Sequence, residues 1–132
     1  MVHPNLVKYL DLFDKRAFAH LGTTMADGTP QVTPVWCDFD GECVRINSAR
    51  GRLKDRNMTA RPYVALAISD PDNPYRFVQI RGPVVEITTD GAEAHIDALS
   101  AKYTGAAVYG NRRPGEVRVT YKIRPEHVAG MG

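Results

Sequence analysis

Two Asp-Gly pairs, Asp27-Gly28 and Asp40-Gly41, cut the first half of the chain into three short runs of strand-forming residues, about 17–25, 30–39 and 42–48. Asp-Gly readily takes the positive φ angles of a two-residue hairpin turn, so these runs read as a meander of antiparallel strands. Links this short exclude a parallel arrangement, which needs a crossover of about a dozen residues or more. Further along, Tyr63 to Ile68 is apolar with β-branched members and predicts a buried strand, closed by the turn Asp70-Pro71-Asp72-Asn73-Pro74. A strand over about 76–88 follows, with Gly82-Pro83 in its middle marking a bulge or sharp bend. Val117, Val119, Tyr121 and Ile123 alternate with Arg118, Thr120, Lys122 and Arg124, predicting a last strand with one polar face.

Helical signals are fewer. Leu6, Tyr9, Leu10 and Phe13 form a stripe over Asn5 to Asp14, Arg52 to Thr59 reads as a short helix, and Asp90 with Glu93 resembles a capping box opening a helix to Gly105. Six strands, two or three short helices and no strand-helix-strand alternation predict a mainly β, six-stranded antiparallel barrel, a single domain over residues 1–132. At 43% hydrophobic and 24% charged, the chain has apolar side chains enough for one core. Gly22, Gly28, Gly41 and Gly51 sit singly in turns, without the pattern of a dinucleotide fold or a phosphate loop.

Charge and composition narrow the partners. A net charge of +2 is too balanced for nonspecific attachment to nucleic acid or membrane. No apolar run reaches the ~18 residues of a membrane span, and the start lacks the basic and apolar segments of a secretion signal, so a cytoplasmic, soluble protein is expected. With Asp40-Gly41 as the turn, Cys37 faces Val44 and Cys43 faces Asp38, which puts the thiols on opposite faces; free thiols are expected. His3, His20, His95 and His127 lack the short spacing of a zinc site, so no metal is expected.

The basicity is local. Between Arg50 and Arg61 five cations face only Asp55, giving +4, while the other 120 residues sum to −2. Here Ile46-Asn47-Ser48 ends a strand and Arg50-Gly51-Arg52-Leu53-Lys54 enters a helix, so a phosphate would meet unpaired helix-start amides, the Ser48 hydroxyl and the Arg52 and Lys54 charges together. Taken alone, the stretch is equally a solvated basic turn. The same hairpin register sets Pro34 opposite Asn47 and Thr33 opposite Ser48, which would bring the strand carrying Trp36 beside the anion seat, where a planar ring could lie. Filling the core or a dimer contact is the other reading of Trp36.

Pro30-Gln31-Val32-Thr33-Pro34-Val35-Trp36, a hairpin, Ile46-Asn47-Ser48, the Arg50 to Asn57 segment and Ile80-Arg81-Gly82, in that order, resemble the split-barrel flavin and deazaflavin oxidoreductases related to pyridoxamine phosphate oxidase, most of all the branch that uses coenzyme F420. The likeness runs from about residue 5 to 128. It implies a six-stranded split β-barrel, FMN-binding type, acting as a homodimer with two cofactor grooves at the interface. By matching position it implies that Arg52 and Lys54 hold the cofactor phosphate with Asn47, Ser48 and Arg50 assisting, that Thr33, Pro34, Val35 and Trp36 face the ring, and that Gln79, Tyr75 and Arg76 approach from the second subunit.

F420 carries a phosphodiester and an acidic tail, and Arg50, Arg52, Lys54 and Arg56 suit that longer anion better than FMN, with Lys8, Lys15 and Arg16 able to extend the track. The function implied is an F420H2-dependent reductase passing hydride to a small conjugated acceptor such as an enone, quinone or tetrapyrrole. The alternatives are an FMN-dependent oxidase or reductase and a noncatalytic flavin, F420 or haem binder. No protein nucleophile is required, and no catalytic residue is assigned; Tyr75, Tyr109, Arg76 and bound water are candidate proton donors between which the sequence does not choose. Nucleic-acid binding is disfavoured because few exposed aromatics accompany the cations.

Overall fold

The computed structural model describes residues 1–132. After a 3-10 helix over Val7–Asp14, the chain forms β1 (Ala19–Thr24), β2 (Pro30–Val35), β3 (Cys37–Phe39), β4 (Val44–Ala49), helix α1 (Leu53–Ala60), β5 (Tyr63–Asp70), β6 (Asn73–Thr88), helix α2 (Ala92–Thr104), β7 (Arg118–Ile123) and β8 (His127–Met131). All strand pairs are antiparallel, in the order β2-β1-β5-β6-β7-β4-β3, with β8 also on β6. The expected antiparallel split barrel is the fold; it carries eight strand segments where six were expected. No helix is long and apolar enough to cross a membrane.

The two extra segments have separate causes. The run 30–39 cannot serve one partner throughout: Pro30 to Val35 pair with β1, and Cys37 to Phe39 turn away to pair with β4. The change of sheet falls at Trp36, whose indole lies flat on Tyr103 with centroids 5.3 Å apart. Consequently Pro34 faces His20 and Thr33 faces Leu21, not Asn47 and Ser48 as the hairpin reading had it. The second addition is β8, a weakly patterned segment that pairs Val128 with Ile80.

The β3–β4 register also differs from the expected one. The Asp40 carboxylate accepts the amides of Glu42 (2.9 Å) and Cys43 (2.7 Å), and the Asp40 amide donates to the Cys43 carbonyl (3.1 Å), so Gly41 and Glu42 are the turn residues. Asp40 acts as an acceptor for the turn's amides before it. Cys37 therefore faces Ile46, not Val44. The thiols still point to opposite faces, and both cysteines are free and buried.

The bend at Gly82-Pro83 is what splits the barrel. Up to Pro83, β6 pairs with β5; from Val84 it pairs with β7, with a register shift between Val84 and Glu86. The chain after β7 crosses here, its Arg124 amide donating to the Pro83 carbonyl at 3.0 Å. A Cβ on residue 82 would lie 1.8 Å from the Arg124 carbonyl oxygen, so glycine is required by close backbone approach.

One core fills the barrel. Val44, Ile46, Leu66, Ile80, Val119 and Tyr121 line its interior, closed at one side by Leu6, Leu12 and Phe13 of the opening helix. Sequence patterning placed α2 one residue early: Asp90 does not cap it, because Gly91 at φ 72° is the N-cap and Glu93 pairs with Arg112. It also read the Arg118 face of β7 as solvated, whereas α2 packs over that face and leaves Arg118 4% and Thr120 3% exposed. A strand pattern records which face is polar, but not what later covers it.

Candidate functional site

The basic turn is held by the core beneath it. Gly51 takes φ 90°, and Arg52 is extended where α1 begins. Asp55, in the first turn of α1, accepts the Gly51 amide at 2.9 Å with one oxygen and the phenol of the fully buried Tyr121 with the other. Arg52 and Lys54 are thereby presented at the end of the helix where amides lack intrahelical acceptors and the dipole is positive.

Beside them opens a cleft of about 210 Å³, lined by Pro34, Val35 and Trp36 at the β2–β3 junction, Asn47 of β4, Arg52 and Lys54, Ile96 and Leu99 of α2, Arg118 of β7, and Phe18, Tyr109 and Asn111. Half of its lining is hydrophobic; the rest includes three cations and no carboxylate. Glu116 partly balances the cations, meeting Arg118 at 2.7 Å and Arg52 at 3.4 Å from outside the cleft. Lys54 has no hydrogen-bond or ion-pair partner at all. Half-burial, then the neighbouring Arg52 and Arg118 charges, depress its ammonium below the usual lysine range. A partly desolvated cation among cations, with no acid of its own, fits an anionic group.

The aromatic side of the cleft is continuous. Trp36 stacks on Tyr103 with planes 7° apart, and Tyr109 meets Trp36 edge-on at 5.9 Å. The Arg118 guanidinium sits 5.2 Å from the Tyr109 ring centre. Tyr109 is fixed on its loop by a 2.8 Å bond from its amide to Asp97, which also pairs with Arg112.

Of the residues singled out from sequence, Pro34, Val35, Trp36, Asn47, Arg52 and Lys54 share this cleft. Ser48 follows Asn47 on the strand and so faces the barrel interior, where its buried hydroxyl has no partner; the buried Thr33 hydroxyl also has none. Arg50 is exposed. Gln79 lines a different depression, about 480 Å³, with His3, Arg81 and His127. That hollow is larger but gathers none of the basic turn. Tyr75 is 81% exposed, and Arg76 is engaged by Asp11 at 2.7 Å and Asp70 at 3.0 Å.

Sequence reading missed Arg118, Ile96, Leu99, Phe18 and Asn111 as cleft residues, and gave Tyr109 only as a candidate proton donor. Arg118 carried a faint signal as a lone arginine at the start of an alternating strand. Its register partner Ala49 adjoins the basic turn.

Residues 7–132 match the family described as Pyridoxamine 5'-phosphate oxidase. Among solved structures the chain is similar to an F420 reductase, at 33% identity over 98% of each chain with TM-score 0.79. It is also similar to a conserved hypothetical protein from Mycobacterium tuberculosis, at 19% identity over 99% of this chain and 85% of that one, TM-score 0.76. A third similarity is to the HupZ protein of Group A Streptococcus, at 20% identity over 98% and 94%, TM-score 0.67. No curated protein matches. A split barrel whose sequence agrees with the family from the opening helix to the last residue leaves one assignment: the chain belongs to the pyridoxamine 5'-phosphate oxidase family.

Proposed function

We propose that the protein is an F420H2-dependent reductase acting on a small conjugated acceptor. The observation that carries this reading is the unpartnered Lys54 ammonium between Arg52 and Arg118, in a cleft with an aromatic wall and no carboxylate. The 33% identity to an F420 reductase supports the same choice.

Lys54, Arg52 and Arg118 would bind the cofactor's phosphodiester, with the α1 amides adding donors. Arg50 and Arg56, both exposed, are left to meet the acidic tail. Pro34, Val35 and Trp36 would carry the ring, and Ile96 and Leu99 would keep water from its face. When bound, the reduced deazaflavin supplies the hydride. Within one chain Tyr109 is the candidate proton donor that lines the cleft, and its phenol would deliver the proton. In a homodimer a second copy would close the groove with Gln79 and Tyr75, whose side chains are unengaged within the chain, whereas Arg76 is held by Asp11 and Asp70.

Titration with F420 and FMN side by side, followed by fluorescence, tests the reading. Tighter uptake of F420 supports it. Uptake of FMN alone makes this an FMN protein, and uptake of either without turnover across enones and quinones makes it a carrier. Sedimentation as a stable monomer at micromolar concentration overturns the shared groove.

A further inference from the structure

His95 is a buried polar side chain that the proposed chemistry does not use. It projects from α2 toward β7 and is 5% exposed. Its Nδ1 lies 2.9 Å from Thr120 Oγ1 and 3.2 Å from Asn47 Nδ2, and its Nε2 lies 3.3 Å from Asp38 Oδ1. The neighbours decide where its proton sits. Asn47 Oδ1 accepts from Arg118 Nε at 2.9 Å, and Asn47 Nδ2 donates to the Ala92 carbonyl at 2.9 Å. Asn47 therefore presents only a donor to His95, Nδ1 must accept it, and the proton is on Nε2, facing the Asp38 carboxylate. Asp38 is held in turn by Arg45 through two bonds of 2.9 and 2.8 Å.

We propose that His95 is a positioning residue for the anion seat, acting through the Asn47 amide on the Arg118 guanidinium. The inference rests on the reading of the cleft as the cofactor site and adds one residue to it. An asparagine amide is nearly symmetric in shape, and its χ2 torsion is broadly two-fold, so packing alone does not tell one end from the other. Two acceptors, Ala92 O and His95 Nδ1, gather at one end, and the Arg118 donor stands at the other. The Ala92 carbonyl and Arg118 select the amide's orientation, His95 takes its second proton and holds it there, and Arg118 is fixed beside Lys54 with its Nε committed to Asn47 and one terminal nitrogen to Glu116. Without the imidazole one Asn47 proton is left unpaired, and the hold on Arg118 loosens.

The test compares His95→Leu, which removes both ring nitrogens, with His95→Asn, whose side chain can place an acceptor near the Nδ1 position. Calorimetric titration uses pyrophosphate and F420 as probes on protein shown folded by its melting curve. His95→Leu is expected to bind both probes about tenfold more weakly, the equivalent of about 1.4 kcal/mol. His95→Asn is expected to remain near the wild type. Wild-type affinity in His95→Leu, or equal loss in both variants, overturns the proposal.

Imidazole and guanidinium nitrogen NMR on the ligand-free wild type gives a second readout that needs no variant. A proton on Nε2 with a slowly exchanging Arg118 Nε–H is expected; a proton on Nδ1 overturns the proposal even if His95→Leu does not fold. If the wild type takes up neither probe, the cofactor reading of the cleft falls and takes the role of His95 with it. If it binds both and is indifferent to His95, only the present inference falls.

Discussion

The Tyr121 phenol, at the centre of the barrel, donates to the Asp55 carboxylate that also receives the Gly51 amide, so the turn presenting Arg52 and Lys54 is tied directly to the core. Tyr121→Phe leaves a buried carboxylate without one of its donors. It should lower unfolding free energy by roughly 1–3 kcal/mol, the cost of an unsatisfied buried acceptor. Urea denaturation measures this, and weaker anion binding in the folded variant would show that the tie also places the cations.

Lys54→Met should separate binding from stability. Removing the ammonium should cost roughly 1–3 kcal/mol of F420 affinity, the range of a charge-assisted hydrogen bond. Because burial and two neighbouring cations already depress its ionisation, the variant should melt no lower than wild type without ligand. Arg52→Ala should lose less affinity, since Glu116 already draws on that guanidinium. Wild-type titrations in both variants would show the seat to be elsewhere.

Gly82→Ala places a methyl group against the Arg124 carbonyl, where only main chain can move. The expected loss is about 3 kcal/mol or more, at the upper end of overpacking effects. Chemical denaturation decides it. A loss under 1 kcal/mol, on the order of a surface change, would mean that the crossing of β6 and the chain after β7 is looser than described.

Asp70 joins the opening helix to β6. The Asp72 amide, Lys15 and Arg76 hold its carboxyl down to about 2, against an ordinary value of 3.8. A carboxylate with a lowered folded value contributes stability above its unfolded value and loses it as pH falls through the folded one. Melting temperature should therefore drop between pH 3.8 and about 2. Asp70→Asn should flatten that part of the profile, and an unchanged profile would show the cluster to be inert.

The two thiols should be unreactive in the native protein. Burial pushes Cys37 up to about 11 and raises Cys43 as well. Mild alkylation at pH 8 should label neither until denaturant is added. Rapid labelling of Cys37 would show that the Trp36–Tyr103 stack opens.

Local chemistry in the chain was enough to specify most of the barrel's strands, its bend and its basic turn, but not β8 or the break between β2 and β3. Alternation marks strands, Gly82-Pro83 allows a turn of direction that few dipeptides allow, and a run of cations before Lys54 is visible without coordinates. Partners were not legible, because pairing depends on segments distant in sequence. Whether Asp40-Gly41 or Gly41-Glu42 turns the hairpin rests on one carboxylate choosing its amides, which moved Cys37 from opposite Val44 to opposite Ile46, and the change of sheet at Trp36 put Pro34 beside His20 instead of Asn47.

The cleft divides the same way. Arg52, Lys54 and Trp36 stood out because charge and aromatic size are properties of single residues. Arg118, Ile96 and Tyr109 join them only because α2 lies across β7, which turns a strand's apparently solvated face into a buried one. What the sequence determined by itself is the periodic and local: strand faces, turn residues and the site of charge. Only tertiary structure decided which faces meet, because burial, and with it the free energy of every polar group, belongs to the packed pair of surfaces and to neither segment alone.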